Sequence, residues 1–193
     1  LIQHLIMELQ RLCPDVLIVS GLAYGVDINA HRMALDHHFE TVGVLAHGLD
    51  YLYPHAHKET ALQMLSQGGL LSEYCTNTKA DKMNFVRRNR IVAGMCDACI
   101  LVESALKGGG LITAGIAKDY SKEVFAFPGA VGAPYSEGCN ALIAQNGAGL
   151  ITSAKDLVEN MNWDNISLLN KAKEKGIERE LFPTLNANEQ QVV

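Results

Sequence analysis

The sequence predicts an α/β fold built on a doubly wound, mostly parallel sheet. Two observations carry that reading. First, short runs of consecutive apolar residues recur along the chain: Val16 to Val19, Thr41 to Ala46, Ala98 to Val102 and Val124 to Phe127. A strand covered on both faces reads as such a run, whereas a half-exposed strand alternates. Second, each run is followed by a loop and then a helix-like stretch, the pattern of right-handed crossovers between parallel strands. With 193 residues the chain is long enough for one substantial core. Hydrophobic residues make up 48% and charged residues 19%, which excludes a disordered chain. No apolar run is long enough to cross a bilayer. Five scattered cysteines, an odd number, form no disulfide framework and favour a reducing cytoplasm.

In chain order, Leu1 to Leu12 predicts a helix with Leu5, Ile6, Leu9 and Leu12 on one side. No signal peptide is visible, and a helical pattern that begins abruptly at Leu1 reads as the start of a fragment. Pro14-Asp15 turns the chain into the first strand, Val16 to Val19, and a loop over Gly21 to Gly25 leads into a helix from Val26 to Asp36. Thr41 to Ala46 is the next strand, followed by a loop rich in His and Pro and a helix from Lys58 to Ser66. Gly69 to Glu73 reads as a short strand and Ala98 to Val102 as another. Gly108 to Gly110 opens a helix reaching Tyr120, and Val124 to Phe127 is a strand closed by Pro128-Gly129. Gly138 to Gln145 is helical, Gly149 to Ile151 a short strand, and Ser153 to Met161 a final helix. These elements make one domain over residues 1–162. Residues 163–193 are more polar: a helix from Trp163 to Lys175, a linker from Gly176 to Pro183, and a capping box at Asn186 to Glu189 that opens a helix cut off at Val193.

Lys79 to Arg90 departs most sharply from the bulk composition. Five cations (Lys79, Lys82, Arg87, Arg88, Arg90) face one acid, Asp81, for a net +4 in a chain of net −5. Such an island attracts polyanions, and Phe85 in its midst suits stacking on an unpaired base. A solvated helix face with Phe85 turned inward explains the same composition.

Ligands of open parallel sheets bind at the carboxyl ends of the strands. After the first strand, Ser20-Gly21-Leu22-Ala23-Tyr24-Gly25-Val26-Asp27 offers a hydroxyl, two glycines and a helix N-terminus for an anion. The same residues also read as a tight turn with Asp27 capping the helix. After Ala98 to Val102, Lys107, Gly108, Gly109, Gly110 and Thr113 form a candidate phosphate cradle. The spacing excludes a Walker loop, and Thr113 at the third glycine position excludes a dinucleotide fingerprint. Cys96-x-x-Cys99 has metal spacing but no second pair, so Cys99 reads as a small core residue. His47, His55 and His57 crowd one loop, without the carboxylate-supported helical pair of a metal site. We expect no metal and no cofactor, and no nucleophile–base pair stands out.

Several of these segments occur in an order that resembles the DprA/Smf family of DNA-processing proteins. They are Ser20-Gly21-Leu22-Ala23-x-Gly25-Val26-Asp27-x-x-Ala30-His31, Gly48-Leu49-Asp50-x-x-Tyr53-Pro54, Leu71-Ser72-Glu73-Tyr74, Phe85-x-x-Arg88-Asn89-Arg90-Ile91, Gly109 to Ala114, Phe125 to Gly129, and Gly138-Cys139-Asn140-x-Leu142-Ile143. The resemblance spans about residues 16–160. It implies a Rossmann-like domain that binds and protects incoming single-stranded DNA, dimerises, and helps load a RecA-type recombinase during natural transformation. By position it implies that Lys82 pairs with phosphate and Phe85 stacks a base. Arg88, Asn89 and Arg90 match the family's Arg-Asn-Arg, and Gly109, Gly110 and Thr113 match its glycine-rich turn. Leu142 and Ile143 fall where the family places dimer contacts.

This sequence departs from that pattern at Tyr24, where many members carry Arg, at Val86, where Pro is usual, at Gly108, where Ser is common, and at Ala46-His47. The family's first strand, with its Gly-Ser-Arg turn, would precede Leu1, and its winged-helix-like module would begin near Leu185. The rival reading is an enzyme, a nucleoside-monophosphate phosphoribohydrolase of the lysine decarboxylase-like group. Its Pro-Gly-Gly-x-Gly-Thr-x-x-Glu motif is absent, Ala117 following where the Glu is needed. A plain nucleotide-sensing module is a third reading.

Overall fold

The computed structural model describes residues 1–163. The polar helix beyond Trp163, the linker and the capping box expected further on lie outside the described residues. Among the described residues, six parallel strands and seven α-helices alternate: α1 (Ile2–Leu12), β1 (Ile18–Ser20), α2 (Val26–Asp36), β2 (Thr41–Val44), α3 (Lys58–Met64), β3 (Gly68–Leu71), α4 (Lys82–Met95), β4 (Ala98–Leu101), α5 (Gly109–Asp119), β5 (Glu123–Ala126), α6 (Glu137–Ala144), β6 (Gly149–Leu150) and α7 (Ala154–Asn160). A 3₁₀ turn, His55–His57, precedes α3. The strands form two ladders, β1-β2-β3 and β4-β5-β6, every pairing parallel.

Strand periodicity shows how the sheets are covered. Ala98, Ile100, Val102, Phe125 and Phe127 pack with Leu5, Ile6 and Leu9 of α1 and Leu157 and Val158 of α7. The alternate residues point the other way: Cys99 and Val124 pack with Ala93 of α4 and Ala114 and Ala117 of α5, and Leu101 and Ala126 pack with Cys139 of α6. Both parities are therefore apolar, which is why these strands read as unbroken hydrophobic runs. Strand ends differ from expectation by one or two residues. Leu45 and Ala46, expected in β2, are buried beyond its end, where the chain already turns into the loop.

The basic island is helical. Asp81 sits at the N-cap of α4, and its carboxylate accepts the amides of Met83 at 2.7 Å and Asn84 at 3.0 Å. That one acid among five cations thus satisfies the first free N–H groups and complements the helix dipole. The last helix starts similarly, with a capping box between Ser153 and Asp156. Packed against β1, β2 and α5, α4 spans both ladders.

A buried polar group ties α2 to the first ladder. His31 and Thr41 have no solvent exposure, and Thr41 Oγ1 donates to the carbonyl of Ile18 at 2.9 Å. With its proton committed there, Thr41 Oγ1 accepts from His31 Nδ1 at 2.7 Å, which leaves Nε2 as the unprotonated nitrogen, buried without a partner. Burial pushes the His31 pKa down to about 4; Asp27 opposes the shift, while Arg88 and His57 add to it. The folded-state value lies below the unfolded value of 6.5, so this stability is complete above pH 6.5 and is lost as pH falls toward 4. An NMR titration is expected to give a His31 ring midpoint near 4. Urea denaturation is expected to show about 2 kcal/mol lost between pH 7.5 and pH 5 through this residue, a loss that His31→Leu removes.

Candidate nucleic-acid interface

The loops that leave the carboxyl ends of the strands gather on one side of the molecule. Gly25, Val26 and Asn29, after β1, and Val102 and Glu103, after β4, line one cavity of about 410 Å³ together with Leu1 to Gln3. Arg88 joins α4 to the carbonyls of Gly21 and Val44, at the ends of β1 and β2, and the turns of α4 that precede it carry Lys82 and Phe85. At a spacing of three, these two share a helix face. Lys82 is exposed and makes no ion pair among the described residues. Phe85 is half-buried, with the Tyr53 ring 5.9 Å from its centroid and the Arg88 guanidinium at 5.8 Å.

Arg88 departs from the role expected of it. Its side chain is only 4% exposed, and Nη1 donates to the carbonyl of Gly21 at 2.8 Å and to that of Val44. Burial lowers its pKa from the ordinary guanidinium value, with Asp27 and Tyr74 opposing. The reason is helical spacing: one turn inward from Phe85, a side chain on this face points at the strand ends rather than at solvent. Arg88 therefore fastens α4 to the ends of β1 and β2 and does not present a free charge. Asn89 takes part by accepting Arg88 Nε at 3.3 Å. Arg90 is half-exposed and paired with Glu73, so its charge is partly balanced.

The Ser20–Gly25 turn is also corrected. The Asp27 carboxylate accepts the amides of Gly21 at 3.0 Å and Ala23 at 3.2 Å, so the chain's own anion occupies the cradle the sequence offered to a phosphate. Glycine at position 21 has a different cause. A Cβ there would lie 2.5 to 2.7 Å from the Arg88 guanidinium, which hydrogen bonds hold in place. Ser20 ends β1, half-buried, at the entrance to the same turn.

In the turn after β4, the glycines divide. Gly109 is exposed with open space where a Cβ would be, at the start of an α5 whose cap, Gly108, supplies no side-chain acceptor. Gly110 instead serves packing, since a Cβ would lie 2.5 Å from Leu101 Cδ1. Lys107 is exposed before the helix and Thr113 half-buried within it. Among the described residues, no hydrogen bond or ion pair joins this turn to the side chains of Lys82 or Phe85. Leu142 and Ile143 are half-buried on α6, packed around Leu101, Ala126 and Cys139.

The histidines and cysteines have structural placements. His47 Nδ1 donates to the Gly48 carbonyl at 2.8 Å while its Nε2 accepts the Tyr53 amide at 3.1 Å, and His57 Nδ1 donates to the Leu22 carbonyl at 2.8 Å. His57 also carries the exposed Tyr24 ring edge-on at 4.8 Å. Burial pushes the Cys96 thiol up to about 11 and Cys99 up to about 12, so both stay protonated at neutral pH. The sequence reading missed the Asp27–His31–Arg88 group and the Tyr53 contact. The first had a signal, because Asp27 and His31 are four apart on α2; the second had only the place of Tyr53 in the Gly48 to Pro54 motif, since 32 positions separate it from Phe85.

The sequence profile of DNA recombination-mediator protein A matches residues 2–162, most of the chain. The chain belongs to that family. It is 42% identical over 149 residues to Protein Smf of Escherichia coli, covering 77% of this chain and 40% of the relative. To the DNA processing protein DprA of Streptococcus pneumoniae it is 40% identical over 150 residues, covering 78% and 53%. The X-ray structure of that protein superposes with a TM-score of 0.74 over 82% of this chain and 54% of its own. DNA processing protein A from Helicobacter pylori, whose structure was described for its single-stranded DNA binding mode, is 31% identical, with a TM-score of 0.73 over 84% of this chain and 73% of its own. The chain thus spans about half the length of the curated relatives it matches. Within this family fold, Arg88 is the residue whose loss should be felt first. Arg88→Ala leaves two inward carbonyls without a donor, and urea denaturation is expected to show a loss of about 3 kcal/mol. Arg88→Lys is expected to recover less than half of it, because an ammonium lacks the planar fork.

Proposed function

We propose that this chain is a single-stranded DNA-binding unit that acts by binding rather than by catalysis, without sequence preference. The observation that carries this is the pairing, on one face of α4, of an exposed Lys82 with a Phe85 ring held in place at the strand ends. A cation beside an aromatic face suits a nucleotide whose base is unpaired, the phosphate meeting the ammonium and the base stacking on the ring. Lys107 and Gly109, exposed after β4, are further phosphate contacts in this reading, with Gly110 and Thr113 shaping that turn. Arg90 contributes charge, and Arg88 with Asn89 holds the site together. Family membership and the relative known for a single-stranded DNA binding mode support the same assignment.

Family membership supports proposing a wider role as well. The chain acts as a homodimer in the cytoplasm, protects single strands taken up during natural transformation, and hands them to a RecA-type recombinase. Leu142 and Ile143 on α6 supply the dimer contact.

Titration of labelled oligo-dT at several salt concentrations tests the proposal. Wild type is expected to bind with affinity that falls steeply as salt rises, and absence of binding at low salt overturns it. Lys82→Ala is expected to weaken binding and to lower the salt slope by about 0.7, the value for one phosphate of a single strand. Phe85→Ala is expected to cost about 1–3 kcal/mol with the slope unchanged. Ile143→Glu is expected to yield monomers by light scattering, because a carboxylate in an apolar contact is costly; a surviving dimer places the interface elsewhere.

A further inference from the structure

We infer that Tyr53 is a second base-stacking platform, forming with Phe85 a two-ring step that selects an extended, unpaired strand. The inference rests on the single-strand reading above and adds a residue from a different loop. Tyr53 is 47% exposed, its ring centred 5.9 Å from that of Phe85 and inclined to it by 52°.

An exposed aromatic on a long loop would normally be mobile, but this loop is fastened at several points to the segment that leads into α4. The Tyr53 amide donates to Nε2 of His47, which is itself 1% exposed and held through Nδ1 by the Gly48 carbonyl. The Gly48 amide donates to the Thr78 carbonyl at 2.9 Å, Asp50 Oδ2 accepts the Asn77 amide at 3.0 Å, and Tyr51 Oη accepts the Ala80 amide. Gly48 permits this approach, since a Cβ would lie 2.5 Å from the Cys75 carbonyl oxygen. Phe85 lies in the first turns of the helix that this segment opens, its ring beside the buried Arg88 guanidinium at 5.8 Å.

Both rings are therefore set before any ligand arrives, which lowers the entropy lost on binding. Their inclination has a chemical consequence. In a duplex, successive bases lie parallel, so they cannot rest on two faces inclined by 52°. Two bases of a flexible single strand can splay to meet both rings, and because every base has a π-face, the step reads no sequence. Lys82, one turn ahead of Phe85, holds the phosphate at one end of that dinucleotide.

Fluorescence anisotropy with oligo-dT and with an abasic strand of equal length tests the proposal, using wild type, Tyr53→Ala, Tyr53→Leu and Tyr53→Phe. Each substitution keeps the backbone amide that bonds His47, and urea denaturation verifies folding. Wild type is expected to prefer oligo-dT to the abasic strand. Tyr53→Ala and Tyr53→Leu are expected to weaken oligo-dT binding about tenfold while abasic binding stays as in wild type, and Tyr53→Phe is expected to bind like wild type. The proposal is overturned if oligo-dT binding is unchanged in both the Ala and Leu variants, or if both strands are weakened equally, which marks Tyr53 as a support for the fold. A wild type that binds no oligo-dT overturns instead the single-strand reading on which the proposal rests.

Discussion

The organisation of this molecule turns on one buried cation. The Arg88 guanidinium comes from α4, reaches the carbonyls that end β1 and β2, and lies beside the Phe85 ring. A charge this deep is tolerated because its donors are matched to carbonyl oxygens and because Asp27 sits close enough to oppose the effect of burial. Asp27 in turn receives the two amides of the β1 turn, so loop, helix and strand ends are fixed by the same electrostatic group. Remove the cation and three elements lose their common anchor.

That anchor explains an apparent paradox of the basic island. Its five cations suggested a uniform polyanion surface, yet their environments are different. Lys82 is exposed, Arg90 is balanced by Glu73, and Arg88 is interior. The field available to a nucleic acid is therefore smaller than the net charge of the segment, and its placement matters more than its size. In the proposed reading, exposed Lys82 beside the Phe85 and Tyr53 rings favours unpaired strands, which charge alone does not.

Much of the architecture was legible in the chain. Apolar runs such as Val124 to Phe127 announced strands covered on both faces, and Leu5, Ile6 and Leu9 announced the inward stripe of α1. These signals are local, since periods of 2 and 3.6 depend only on neighbouring residues. Ordered motifs from Ser20 to Ile143 pointed to the family that the comparisons then showed. Reading the site was harder. Gly21 looked like a phosphate-binding glycine, and only the position of Arg88, 67 residues away, shows that it makes room for a side chain. The clustered histidines read as loop residues rather than ligands, and only the structure shows His47 and His57 bonded to backbone groups.

The sequence by itself determined the fold class, the order of its helices and strands, the family, and the basic segment from which the binding proposal starts. Only the tertiary structure decided which of those residues face solvent. It turned Arg88 inward, filled the β1 turn with Asp27, and brought Tyr53 to Phe85 across 32 positions of chain. The division has a physical cause. Helix and strand periodicities are carried by contacts between residues close in sequence, whereas burial of a charge or the meeting of two rings depends on where parallel crossovers place distant loops.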